Sequence, residues 1–137
     1  MNVTWGTLLK HAGIAAVVAI AVNAAVSVAA RALLDIPAEF EPVTAQAAVI
    51  ATSMYMVMGI VALVLVARFA KKRPARAYWI LATVALLVSF IPNVQLVQDP
   101  SEFPGYTQQG LIVLIAQHVV AYLIFVPWVT RVLSKAR

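Results

Sequence analysis

The sequence predicts an all-α membrane protein, a four-transmembrane-helix bundle, and three observations carry that prediction. Hydrophobic residues make up 64% of the 137-residue chain and charged residues 11%; soluble domains average about 45–50% and about 25%. Four long apolar runs are separated by short polar links. The charges fall on alternate links according to sign. A water-soluble fold of this size has more surface than so few charges can cover.

The runs are residues 8–30, 46–67, 78–97 and 110–133. Crossing the hydrocarbon core takes about 20 apolar residues as a helix, and each run is long enough. Backbone groups in lipid must bond within their own segment, so helix is the expected conformation of each. No charge lies well inside any run, Lys10 being near an end. The segment SVAARA at 27–32 faintly resembles a signal-peptidase site. Its leader would lack early positive charge and carry an overlong apolar stretch, so the first run is expected to be retained.

The inner loop 68–77 reads RFAKKRPARA and carries Arg68, Lys71, Lys72, Arg73 and Arg76. With Lys10 before the first span and Arg131, Lys135 and Arg137 in the tail, these bases share one side if the chain crosses four times. Loops 31–45 and 98–109 hold all five acids, Asp35, Glu39, Glu41, Asp99 and Glu102, and one base, Arg31. Basic short loops stay in the cytoplasm. The expectation is a multi-pass protein of the bacterial cytoplasmic (inner) membrane with N-in and C-in termini. Juxtamembrane bases also favour anionic membrane lipids as partners, and no nucleic acid is expected. Trp5, Tyr78, Trp79 and Trp128 fall near the inner boundary, and Phe40, Phe103 and Tyr106 near the outer one, as aromatic belts would. An Asn2-Val3-Thr4 sequon lies on the expected inner side.

The outer loops share a phrase. PAEFEPVTAQ at 37–46 returns as PSEFPGYTQQ at 100–109, a shift of 63 that also carries Arg68 onto Arg131 and Lys72 onto Lys135. Proline stops a helix, and Thr44 and Thr107 can each cap the one that follows. The repeat reads as a duplicated helical hairpin; two loops doing the same job would also produce it.

Polarity within the spans lies mostly in the outer half. Ala15, Ala19, Asn23, Ser27 and Arg31 recur every four residues and so line one helix face. Ala15 and Ala19 read as a packing face, since small residues let helices approach. The functional reading of the same face is a polar groove opening outward with Arg31 at its mouth. Thr52, Ser53 and Tyr55 add to this level, as do Ser89, Asn93 and Gln95 around the kink-prone Pro92. Gln117 and His118 stand slightly outside the middle of the last span, with Tyr122 one turn below. The candidate binding layer is therefore Asn23, Ser27, Arg31, Ser89, Asn93, Gln117, His118 and Tyr122. A pore would need polar lining through both halves; a cavity or a bonding layer needs it in one. No carboxylate stands at the depth of His118, so a neutral histidine bonded to Asn23 or Asn93 is expected. His11 and His118 lie too far apart along their spans to clamp one haem.

With no cysteine, thiol chemistry is excluded, and no nucleophile–base pair, phosphate loop or metal cluster appears. No catalytic residue, cofactor or metal is expected. The segments NAAVSVAARAL, ARFAKKRPAR, VALLVSFIPN and QHVVAYLIFVP together resemble a family of small bacterial four-helix membrane proteins known only as a domain of unknown function. The resemblance covers most of the chain and implies that Asn23, Arg31, Ser89, Pro92 and His118 match the family pattern. Gln117 departs from it where such proteins often have Met. Small multidrug exporters, dual-topology fluoride channels and quinone-linked thiol enzymes fit poorly. They need an embedded carboxylate, a weak charge bias and cysteines, respectively.

Two functions are expected in order. The first is a non-catalytic accessory or structural subunit, packing against a larger membrane protein complex, a second copy of itself, lipid or pigment. The alternative is a small-molecule or lipid carrier whose polar cavity opens to the outer side.

Overall fold

A computed structural model describes residues 4–135. Asn2 and Val3 of the sequon and Arg137 of the basic tail lie outside the described residues. Five α-helices make four passes along the bundle: α1 (Trp5–Leu33), α2 (Ala45–Phe69), α3 (Pro74–Ser89) continued by α4 (Ile91–Gln98), and α5 (Gln108–Ser134). There is no strand among the described residues. Four helical segments, α3 and α4 counted as one, are long and apolar enough to cross a membrane. At ~1.5 Å per residue, the 29 residues of α1 span about 43 Å. That reaches the headgroup zone on both sides of a ~30 Å hydrocarbon core.

Each start has a chemical reason. Thr4, Thr44 and Thr107 are extended residues whose hydroxyls accept from the amides of Thr7, Ala47 and Gly110 at 3.2, 3.1 and 3.1 Å. Pro74 opens α3, where a missing amide is harmless. The third run is not one helix. Pro92 cannot donate to the carbonyl of Val88, and the chain tightens instead, with the amide of Phe90 donating to Leu87 at 3.2 Å before α4 begins. By contrast, α5 continues as helix past Pro127. Its neighbours Val126 and Val129 are buried, and that packing holds the turn where the bond is absent.

The helices alternate in direction. α1 and α5 lie antiparallel at the centre, because Asn23 bonds to Gln117 and His11 to Trp128. α2 packs on α1, and α3 packs on α5. Both described chain ends therefore lie at one end of the bundle with the 70–73 link. The loops 34–44 and 99–107 lie at the other. The eight described bases apart from Arg31 belong to the first end, and all five acids to the second.

Two apolar clusters form the core. One gathers Leu8, Ala12, Ala15, Ala16 and Ala19 against Leu63 and against Phe125, Val129 and Leu133. The other lies at the two-loop end around Ile36, Phe40, Val43, Leu96 and Val113. Large apolar side chains such as Val17, Leu33, Phe69 and Leu87 point outward, 62–82% exposed. Lipid is the medium in which such a surface is stable.

The two-loop end is keyed together. Phe40 is fully buried, and its ring occupies the space beside Gly110, where a Cβ would sit 2.6 Å from Phe40 Cε1. Gly105 holds φ +73°, and a Cβ there would meet the Phe40 amide nitrogen at 2.8 Å. Arg31 donates to the carbonyls of Val43 at 3.1 Å and Phe40 at 2.6 Å. Phe40 and Tyr78 thus leave the expected aromatic belts, since both rings are enclosed by protein. The loops also differ despite their shared phrase. A 3₁₀ turn, Glu41–Val43, directly precedes Thr44, whereas in the second loop the turn Pro100–Glu102 comes earlier, and Tyr106 stacks edge-on against Phe40 at 6.1 Å.

Candidate functional site

Between the two apolar clusters lies a buried polar layer. The Asn23 Nδ2 group donates to Thr52 Oγ1 at 3.0 Å and to the Gln117 backbone carbonyl at 3.1 Å. In return, Gln117 Nε2 donates to the Asn23 carbonyl at 3.1 Å and to Ser27 Oγ at 2.7 Å. Helices α1, α2 and α5 are thereby joined at one level by four bonds. The reciprocity fixes the Asn23 amide: reversing it would set Oδ1 against the Gln117 carbonyl, two acceptors facing each other. As it stands, Asn23 Oδ1 is buried without a partner.

The polar groove expected along the α1 face is not there. Ala15, Ala19 and Ser27 are all fully buried and Asn23 is 3% exposed. Small side chains let α5 settle against α1, and the face expected to form a groove is closed. Arg31 serves the loop carbonyls and does not line the cleft between α2 and α3. Asn93 is buried on α4 with Nδ2 unpartnered, and it too stands away from the cavity.

A cavity lies elsewhere, lined in part by the expected polar residues. α2 and α3 are joined by the short 70–73 link, and Tyr78 O–H donates to the Gly59 carbonyl at 3.0 Å near that end. Beyond this contact the two helices leave a lateral cleft of about 280 Å³ between them, with α5 as its floor. Small side chains make the room: Ala51, Ala82, Ala85 and Ala121 are all on its walls. Of the 16 residues of α3, only Tyr78 is buried, against nine in α5. Few side chains therefore fill the space between α3 and α2.

Polar groups punctuate this apolar wall. Asn23, Thr52, Tyr55, Ser89, Gln117, His118 and Tyr122 line it, and no charged side chain does. Thr83 donates to the Trp79 carbonyl at 2.8 Å, so Tyr122 O–H donates to Thr83 Oγ1 at 2.7 Å. Ser89 donates to the Leu86 carbonyl at 2.6 Å. His118 does not bond to Asn23 or Asn93. Its Nδ1 lies 2.7 Å from the Leu114 carbonyl of its own helix. A ring nitrogen one turn beyond a carbonyl reaches it without moving another helix, whereas Asn23 is already held by Gln117 and Thr52. The ring stands between Tyr55 and Phe90, at 5.5 and 5.8 Å between centroids.

Ser89, Tyr122, Asn23, Gln117 and His118 are thus gathered on one cleft, and Ser27, Arg31 and Asn93 are not. Tyr55 and Thr52, which the sequence placed at the right depth, also belong to it; their signal was proximity in depth to Asn23 and His118. No group of three metal-ligating side chains occurs among the described residues.

The model of a family of unknown function, DUF6069, matches residues 3–135, and the chain belongs to that family. No curated protein and no solved structure matches it.

Proposed function

We propose that this chain is a membrane-embedded binding protein that holds a small, largely apolar molecule in the cleft between α2 and α3, reached sideways from the bilayer. The observation that carries the proposal is the cleft itself: apolar walls, a few convergent polar groups and no charge, the usual make-up of a small-molecule site. Its volume is near the lower bound for such sites. A long molecule would place one end in the cleft and leave the rest in lipid.

The accessory-subunit reading rested on the absence of reactive constellations and on small-residue faces; of these, the α1 face is packed within the chain. The grouping of bases at the end holding the described termini supports N-in, C-in orientation in a cytoplasmic membrane. A cysteine at position 72 should then resist an impermeant thiol reagent added outside, and one at position 102 should react. The reverse pattern would invert the orientation. The shared caps at Thr44 and Thr107 favour a duplicated hairpin, and the differing turns favour two loops that converged on one cap.

Native mass spectrometry of protein extracted in mild detergent tests the binding reading. A stoichiometric adduct is expected on the wild-type chain and should vanish in Ala82→Leu, which fills the cleft. Bare wild-type protein would overturn the proposal. A stoichiometric protein partner in place of the adduct would favour the subunit.

A further inference from the structure

Taking the cleft as a binding site, we infer that its ligand is a neutral amphiphile ending in a hydroxyl, and that this hydroxyl donates a hydrogen bond to Nε2 of His118. The Leu114 carbonyl can only accept, so the 2.7 Å contact puts the ring proton on Nδ1. Nε2 of the neutral ring is then an acceptor. Nε2 has no partner among the described residues, while its residue lines the cleft. Asn23, whose buried Oδ1 is also unpaired, lines the same cleft, as does Gln117, whose side-chain oxygen has no partner among the described residues.

The hydroxyl donors nearby are mostly committed. Tyr78 donates to Gly59, Ser89 to Leu86, and Tyr122 to Thr83. Thr52 Oγ1 accepts from Asn23 and has no recorded acceptor for its own proton, while the Tyr55 hydroxyl has no partner at all among the described residues, and its ring lies against His118. The site therefore asks for a group that gives a proton to His118 and can take one from Tyr55. A hydroxyl does both. An ether or ester oxygen does only the second, and a hydrocarbon neither. A carboxylate or phosphate would enter without a cation to meet it, since no Lys or Arg lines the cleft, and an unpaired charge in hydrocarbon is strongly disfavoured.

The test uses three probes of one chain length: hexadecan-1-ol, 1-methoxyhexadecane and hexadecane. Each is offered to the full-length protein in detergent, and retention is read by native mass spectrometry. The alcohol should be retained about tenfold over the methyl ether, the size of one well-made hydrogen bond. His118→Phe, which keeps an aromatic ring between Tyr55 and Phe90, should bring the ratio to about one. Equal retention of alcohol and ether by the wild-type chain would overturn the hydroxyl inference and leave cleft binding standing. Retention of none would overturn both. If His118→Phe does not fold, ring ¹⁵N spectra of the wild-type chain decide. One of the two histidines should shift with the alcohol and not with the ether; no shift overturns the inference.

Discussion

The α1–α5 seam and the α2–α3 seam are built from similar amino acids and come out opposite. Along the first, Ala12, Ala15 and Ala19 are fully buried, and side-chain amides cross between the helices. Along the second, Ala51, Ala82 and Ala85 border a cleft, and the one direct hydrogen bond between the helices is Tyr78 to Gly59. Alanine therefore does not of itself make a tight seam. Lipid offers apolar side chains as good a surroundings as protein does, so helices close where dispersion contacts and hydrogen bonds reinforce each other. Asn23 and Gln117 supply that reinforcement on one side. On the other, Thr83 and Ser89 of α3 donate to carbonyls of their own helix.

The same substitution on the two seams should separate them. Ala19→Leu forces extra volume into a closed seam and should destabilise the fold by about 1–3 kcal/mol, read as a lower thermal midpoint in detergent. An unchanged midpoint would show that α1 and α5 are less tightly joined than described. Gln117→Leu removes two cross-helix donations at once and should destabilise by about 1–2 kcal/mol, again read from thermal unfolding. If it is neutral, the polar layer does not hold the closed seam. Tyr78→Phe loses the tie to Gly59, for about 0.6 kcal/mol, the typical worth of such bonds in membranes. Its clearer sign should be faster exchange of a bound adduct. Smallest of all, Ala82→Leu should leave the midpoint within about 0.5 kcal/mol while removing that adduct. A large loss of stability there would mean that the α2–α3 space is packed.

Much of the frame was readable from residues alone. Apolar length gave four long helical segments, Thr44 and Thr107 marked two helix starts, and the period-four row on α1 picked out Ala15, Ala19, Asn23 and Ser27, all buried in the bundle. The cleft was not readable. In water, the apolar stripe of a helix tells which way it faces. In lipid, Val84 or Leu87 is equally at home facing either medium, so the rotation of α3 leaves no trace in its sequence. Where polar residues broke that ambiguity, depth was legible and partner was not. Asn23 and His118 share a level, yet Asn23 is held by Gln117 and His118 turns to Leu114. The break at Phe90 was hinted at by Pro92. The tolerance of Pro127 depended on tertiary packing that no local pattern records.

The ring of Phe40 stands where residue 110 would otherwise carry a side chain. The last helix and the first loop therefore shape each other's seat: only a residue without a side chain at 110 leaves room for the ring. Synthesis delivers these pieces at different times, and the early one has nothing to close upon until the late one emerges. In the finished fold, this end of the bundle is therefore closed by two segments 70 residues apart in the chain, neither of which closes it alone.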